Sequence, residues 1–362
     1  MEIYIVTLIV CLFLSVFSYQ SVYVERLGVC DYEKLNDKYK KLFILIAVFM
    51  LLIVGLRADI IGIDTLNYKD TYLNFGYYDF SLLKKYKWYE EPGYAFVNLL
   101  FNKFGLSWQV YAVFMASLFI IPIMVLIFKN KINCFWAITI FIMSGLWTFS
   151  MSTMRQVAAI GITVIAFLFE DKKKNFWSLV FIFIASLFHV SAMLALLYFI
   201  VRKIPVTKNR FLCWFGVGFL IVVIGIGPLR NVLVGVMISF GRDYQVDSAT
   251  GGLLKEVYFI LTLCVGWVCG TDKDDRYWKY YKAIFLSAVL LPIIRINPML
   301  FRVYMYFSTY EVVFVPMMLS NIKHNKFKII GYIGYGVTYT YLFFSQSMVS
   351  SLKLIPYKFF WS

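Results

Sequence analysis

The sequence predicts an all-α polytopic integral membrane protein, and three observations carry the prediction. Hydrophobic residues make up 61% of the 362 and charged residues only 15%, with a mean hydropathy of +0.75. No water-soluble arrangement of core and surface accommodates that balance. Apolar stretches approaching the roughly 20 residues that a helix needs to cross a bilayer recur from the first residues to about residue 346. The breaks between them are mostly short, and alternate ones are rich in lysine. A single transmembrane domain over residues 1–362, without a soluble domain or long linker, is the expected organisation.

Taken in order, the first apolar run lacks the basic start and small-residue cleavage site of a secretory signal, so it is expected to stay as a first span near 3–23. Charged breaks then mark spans near 42–56, 108–128, 134–150, 155–170 and 176–188. Further spans follow near 191–201, 211–229, 256–270, 283–295, 303–320 and 329–346, about twelve in all within a range of roughly 10 to 13. The two flanking His189 are short, which fits a re-entrant pair as well as two crossings.

Alternate loops, 24–41, 129–133, 171–175, 202–210, 271–282 and 321–328, hold 21 of the 35 Lys and Arg residues, which makes them the cytoplasmic set. Both termini are then expected outside. The inner loops carry 17 Lys to 4 Arg, and the outer set carries 8 Lys to 6 Arg. Lysine serves as a topological anchor, whereas the planar guanidinium binds phosphate oxygens bidentately. The outer face is therefore the one equipped for a phosphate-bearing ligand. A net charge of +15 divided among short loops sets orientation and points to no nucleic acid.

The longest outward segment, 57–107, opens with GLRADIIGIDTLNYKDTY and runs through KKYKWYEEPGYAFVNLLFNKFGL. Arg57 ends the second span, Gly62 and Asp64 fall in a turn, and Glu91, Pro92 and Gly93 precede an apolar stretch too short to cross, which predicts an interfacial or re-entrant helix. A second outward segment is expected at 230–255. Arg155 in STMRQVAAIGI, His189 in SLFHVSAM, and Arg295 and Arg302 in IIRINPMLFRVYMYF stand at other outward span ends. The predicted crossings between these positions are even in number, so all share one side whichever way the chain is oriented. Ionisable groups at span ends are costly in lipid and normally line a cavity.

Each residue also has a plainer reading. Any one arginine can snorkel to headgroups, Asp64 can cap a turn, Glu91 can open a helix before Pro92, and His189 can be a satisfied structural histidine. His324 belongs to a cytoplasmic loop. Most Tyr and Trp residues read as interfacial belt or core. The six cysteines, Cys11, Cys30, Cys134, Cys213, Cys264 and Cys269, show no metal-ligand or CxxC spacing and read as packing thiols. Walker, dinucleotide-binding, GxSxG and HExxH motifs are absent, and Asp64 and Asp70 form no DxD pair. No metal and no cofactor are expected.

The succession GLRADIIGIDTLNY, EPGYAFVNLL, STMRQVAAIGI, SLFHVSAMLALLYF and FRVYMYF resembles the EpsG branch of Wzy-type polysaccharide polymerases, over roughly residues 50–316. The motif positions are Arg57, Gly62, Asp64, Tyr68, Glu91, Gly93, Arg155, Gln156, His189, Ser191, Arg302 and Tyr306. The resemblance implies a fold similar to membrane-embedded lipid-carrier glycosyltransferases. It also implies a substrate carried on undecaprenyl pyrophosphate, an active face outside the bacterial cytoplasmic (inner) membrane, and a product of the O-antigen, lipopolysaccharide, capsule or exopolysaccharide kind. A chain-length regulator protein is a further expected partner beside the bilayer.

Such a reaction must stabilise charge on the departing pyrophosphate while a sugar hydroxyl attacks. Arg57, Arg155 and Arg302 are expected to hold the diphosphate, with Arg295, Gln156, Tyr68 and Tyr306 lining the substrate site. The general base is expected to be Glu91, then Asp64, then His189. A flippase of lipid-linked oligosaccharide and a ligase-like glycosyltransferase are the alternatives, since a basic cavity also suits moving or capturing a pyrophosphate head.

Overall fold

Helix caps and breakers set out the observed elements. The computed structural model describes residues 2–26, 32–170, 173–203, 235, 253–271, 274–295, 300–347 and 352–362. Every regular element among them is helical. The predicted span at 211–229, most of the outward segment 230–255, and Cys30 and Cys213 lie outside the described residues.

The described chain falls into two compact units, residues 1–190 with 324–362, and residues 191–323. In the first unit the helices are α1 (Glu2–Arg26), α2 (Tyr32–Gly55), α3 (Thr65–Phe75), α4 (Pro92–Lys103), α5 (Trp108–Asn130) and α6 (Cys134–Met143). They continue with α7 (Leu146–Phe149), α8 (Met154–Glu170) and α9 (Asn175–Phe188). Ser107 starts α5 by accepting the Val110 amide, and Asn133 starts α6 by accepting that of Trp136. Pro92 opens α4, where its missing N–H costs nothing. α5 packs between α2 and α8, and α8 in turn packs on α9. The Ser178 hydroxyl donates across that last contact to the Ala166 carbonyl at 2.7 Å.

A 3-10 turn at Val190–Leu196 leads into the second unit, followed by the short helix α10 (Leu197–Val201). It continues through α11 (Leu253–Cys269), α12 (Asp275–Leu290), α13 (Phe301–Ser308) and α14 (Glu311–Ser320). The long helix α15 (Asn325–Ser347) returns to the first unit, where it packs on α6.

Several expected spans differ from the observed helices. The stretch 134–150 is two helices, broken where Gly145 turns left-handed at φ 86°. The stretch 191–201 is mostly 3-10, and 303–320 is interrupted at Thr309 and Tyr310. α12 starts well inside the expected loop 271–282, because Asp274 accepts the Tyr277 amide at 3.0 Å and caps it there. The loop 57–107 holds an extra helix, α3, whose polar sequence gives no apolar stripe to read. Its second helix is α4, at the apolar stretch expected to be interfacial or re-entrant.

Among the described residues only α5 is both long and apolar enough to cross a bilayer by length and composition. Lipid is indicated instead by what the helices turn outward. Val6, Ile9, Phe13 and Val16 make one exposed stripe on α1, and Leu254, Val257, Leu261, Val265 and Val268 make another on α11. α15 adds Phe327, Ile330, Ile333, Val337 and Tyr341. Water does not solvate aliphatic stripes of this length, and acyl chains do.

Candidate functional site

In the first unit, the last turns of α2 and α9 and the first turn of α8 meet the beginnings of α3 and α4. The turn after α2 is pinned first. Gly62 has φ +92°, and a Cβ there would stand 2.1 Å from the Met151 carbonyl oxygen, so only glycine fits both the backbone and the gap. Thr65 Oγ1 sits 2.6 Å from the Ile61 carbonyl and 2.9 Å from that of Met151, tying the start of α3 to the turn that precedes α8.

Arg57 belongs to this scaffold. Its side chain is 3% exposed, and its guanidinium donates to the Val54 carbonyl, to the Ile61 carbonyl at 3.4 Å and to the Thr65 hydroxyl at 3.4 Å. Burial lowers its pKa to about 10, partly offset by the Tyr357 and Tyr4 phenols, which leaves it cationic at neutral pH. The C-terminal segment closes over the same turn. The Ala58 amide donates to Lys358 at 2.9 Å, the Phe360 amide to Leu56 at 3.0 Å and the Gly62 amide to Lys353 at 3.0 Å.

The charged centre is built around Glu91. This residue precedes Pro92 in a left-handed conformation, φ 64° and ψ 53°, with its side chain 2% exposed and making no cap hydrogen bond. The unusual backbone turns the carboxylate from the α4 N-terminus toward two other elements. Oε2 accepts from Arg155 Nη1 at 2.5 Å, and Oε1 lies 3.1 Å from His189 Nδ1. Arg155 is in the first turn of α8, and His189 is the extended residue that ends α9. α4 and α9 approach so closely that a Cβ on Gly93 would meet the Leu187 side chain at 2.8 Å.

Two rings complete the centre. The Arg155 guanidinium carbon lies 5.7 Å from the Tyr68 ring centroid and 5.3 Å from that of Tyr94, and the two rings meet edge-on at 6.2 Å. Burial raises the Tyr94 phenol to about 12, so it is neutral at physiological pH. The Arg155 side chain nevertheless remains 40% exposed. It is a cation paired with a buried carboxylate and flanked by two rings, with part of its side chain left exposed.

Of the residues singled out in the sequence, Glu91, Arg155, His189 and Tyr68 are therefore brought together. Asp64 stands one helical turn before Tyr68 on α3, half-buried and without a side-chain cap hydrogen bond. Gln156 is buried beside Arg155 on α8. Arg57 is near the start of α3 but is occupied by backbone carbonyls. Arg302 and Tyr306 belong to the second unit, where the Tyr306 and Ser191 hydroxyls are 3.1 Å apart and Arg302 lies over the Phe301 ring at 6.0 Å. Arg295 closes the 3-10 turn Leu291–Arg295, and its side chain lies outside the described part.

Two polar residues of note escaped the sequence reading. Tyr94 looks like any interfacial tyrosine until the Arg155 guanidinium is found over its ring. Glu311, 2% exposed, accepts from the Tyr258 hydroxyl at 3.0 Å in the second unit. Its signal was available, because it is an acid inside the apolar stretch 303–320.

Comparison with known sequences matches residues 40–359 to the EpsG family. No curated protein and no solved structure matches the chain.

Proposed function

Because the chain belongs to the EpsG family, whose members are polysaccharide-polymerase-like membrane proteins, we propose that it extends a glycan carried on undecaprenyl pyrophosphate at the extracytoplasmic face of the bacterial cytoplasmic membrane. The observation that carries this reading is the half-open Arg155, backed by Glu91 and flanked by Tyr68 and Tyr94. A guanidinium preorganised in this way stabilises charge that develops on a departing diphosphate, at no cost in reorientation when the bond breaks.

In the reaction, an acceptor sugar hydroxyl attacks the anomeric carbon of the donor chain. The new C–O bond forms as the bond to the pyrophosphate oxygen breaks. The electron pair leaves with the lipid pyrophosphate, beside Arg155, and the hydroxyl proton passes to a base. Oε2 of Glu91 accepts from Arg155, Oε1 lies 3.1 Å from His189 Nδ1, and the side chain is shut off from solvent. That supports a positioning role for Glu91 and moves the role of base to Asp64, whose carboxylate is half-exposed on the α3 face that carries Tyr68. His189 stands beside the second oxygen of Glu91. Arg57 holds the turn that carries α3, and Arg302, Arg295 and Tyr306 belong to the second unit. The whole chain acts as one membrane domain of about twelve helices.

The test incubates the purified protein with a short lipid-linked repeat unit and resolves the products on a gel. A ladder is expected, and Arg155→Ala lowers its rate on the order of 100-fold while the protein stays inserted. A wild-type ladder from Arg155→Ala overturns the site. Unchanged substrate that crosses liposomes overturns the reaction and indicates a flippase.

A further inference from the structure

We propose that the segment 77–90 is a platform for the sugar chain of the substrate, and that this chain is acidic. The inference rests on the polymerase reading and adds to it the place and the charge of the glycan.

Between α3 and α4 the chain makes two 3-10 turns, Phe80–Lys85 and Trp88–Glu90. Their aliphatic side chains are used internally, with Leu82 and Leu83 packed against a small core of Phe75, Ala95 and Leu99. Flat rings are left on the outside. Tyr77 is 87% exposed and Trp88 43%, with Tyr78 and Phe80 exposed beside them. A segment seated in a lipid interface also exposes Tyr and Trp, but it turns its leucines toward the acyl chains, and here Leu82 and Leu83 are packed inward. Water-facing rings on a rigid base suit the C–H faces of pyranoses, whose slightly positive hydrogens meet the negative face of the π system.

Charge then selects among sugars. Lys84, Lys85 and Lys87 are exposed within four residues of one another. The acids of the segment are spent on local structure. Asp79 accepts from the Ser81 amide at 2.9 Å, and Glu90 accepts from the Lys87 amide at 2.7 Å. These three ammonium groups stand on the side of the membrane where lysine has no topological task. A carboxylated or phosphorylated glycan gives them one. The second turn ends at Glu91, the residue that holds Arg155 and His189, so a chain lying on 77–90 leads to the reacting centre.

The full-length protein in nanodiscs is titrated with a hexagalacturonate and, separately, with its methyl ester, following tryptophan fluorescence. Trp88→Phe isolates the contribution of Trp88. The wild type is expected to prefer the acidic hexasaccharide by about tenfold or more. The triple change Lys84→Gln, Lys85→Gln, Lys87→Gln removes that preference, and Tyr77→Ala with Trp88→Ala weakens both sugars by about tenfold, all with unaltered melting temperature. Equal affinity for the two sugars, binding of neither, or indifference to the lysine changes overturns the proposal. Quenching of Trp88 by brominated lipid overturns it in favour of a membrane interface. A polymer ladder without hexagalacturonate binding defeats the platform alone. Hexagalacturonate binding without a ladder defeats the polymerase reading and leaves an acidic-glycan surface.

Discussion

Arg57 and Arg155 are the same residue type at equivalent span ends, yet their surroundings give them different work. Arg57 is buried and donates to two carbonyls and the Thr65 hydroxyl around its own turn, whereas Arg155 pairs with Glu91 and stays partly exposed. Substitution therefore separates them. Arg155→Lys keeps the charge but loses the fork that spans a carboxylate and a phosphate at once, so the gel ladder is expected to remain at least about tenfold slower than wild type. Arg57→Ala is expected to cost about 2–3 kcal/mol through its lost hydrogen bonds, read as a lower melting temperature and faster proteolysis in residues 56–65, with the remaining folded protein still active. Glu91→Gln leaves Arg155 without its counter-charge. The expected outcome is a raised KM for the lipid-linked donor together with a reduced kcat, because the guanidinium is no longer aimed. An unchanged KM would argue against a positioning role.

Elements meet at this site through close backbone approach, and apolar patterning carries no record of that. α3 leaves no periodic mark in the sequence, because TLNYKDTYLNF lacks an apolar stripe. It is held instead by Tyr72, whose hydroxyl donates to the Leu106 carbonyl at 2.6 Å, and by Thr65 at its other end. The glycine that permits this contact is sharply constrained. Gly62→Ala is expected to destabilise by roughly 1–3 kcal/mol from the positive φ alone, and by more from the clash with Met151. Thermal unfolding in detergent measures it, and an unchanged midpoint would show that the turn relaxes freely. Removal of residues 352–362 takes away the three amide–carbonyl bonds over this turn. Hydrogen exchange at residues 56–62 is then expected to accelerate on the order of 10-fold or more, since those amides lose their cover.

For the molecule as a whole, the parity of crossings between two residues survives shifts in helix boundaries, and the number of spans does not. Even numbers of crossings predict that Arg57, Arg155 and His189 share one side, and within the first unit the structure does bring the ends that carry them together. The count of twelve depends on where each helix starts and stops, and caps such as Asp274 move those points by most of a turn or more. Topology gives the remaining test. In a background with the native cysteines replaced, an impermeant thiol reagent on intact cells is expected to label Lys84→Cys. Lys131→Cys is expected to react only after permeabilisation. Labelling of both from outside would break the orientation on which the site depends.

The all-helical character of the chain and its family were legible in composition, periodicity and motif order, the first because it follows from each residue's own preference for water or hydrocarbon. Which arginine stays open, which carboxylate is locked away and which rings flank the cation were decided only in three dimensions. Those outcomes depend on distances of a few ångströms between α3, α4, α8 and α9. Pairings between segments far apart in the chain are not encoded in the local pattern of any one of them.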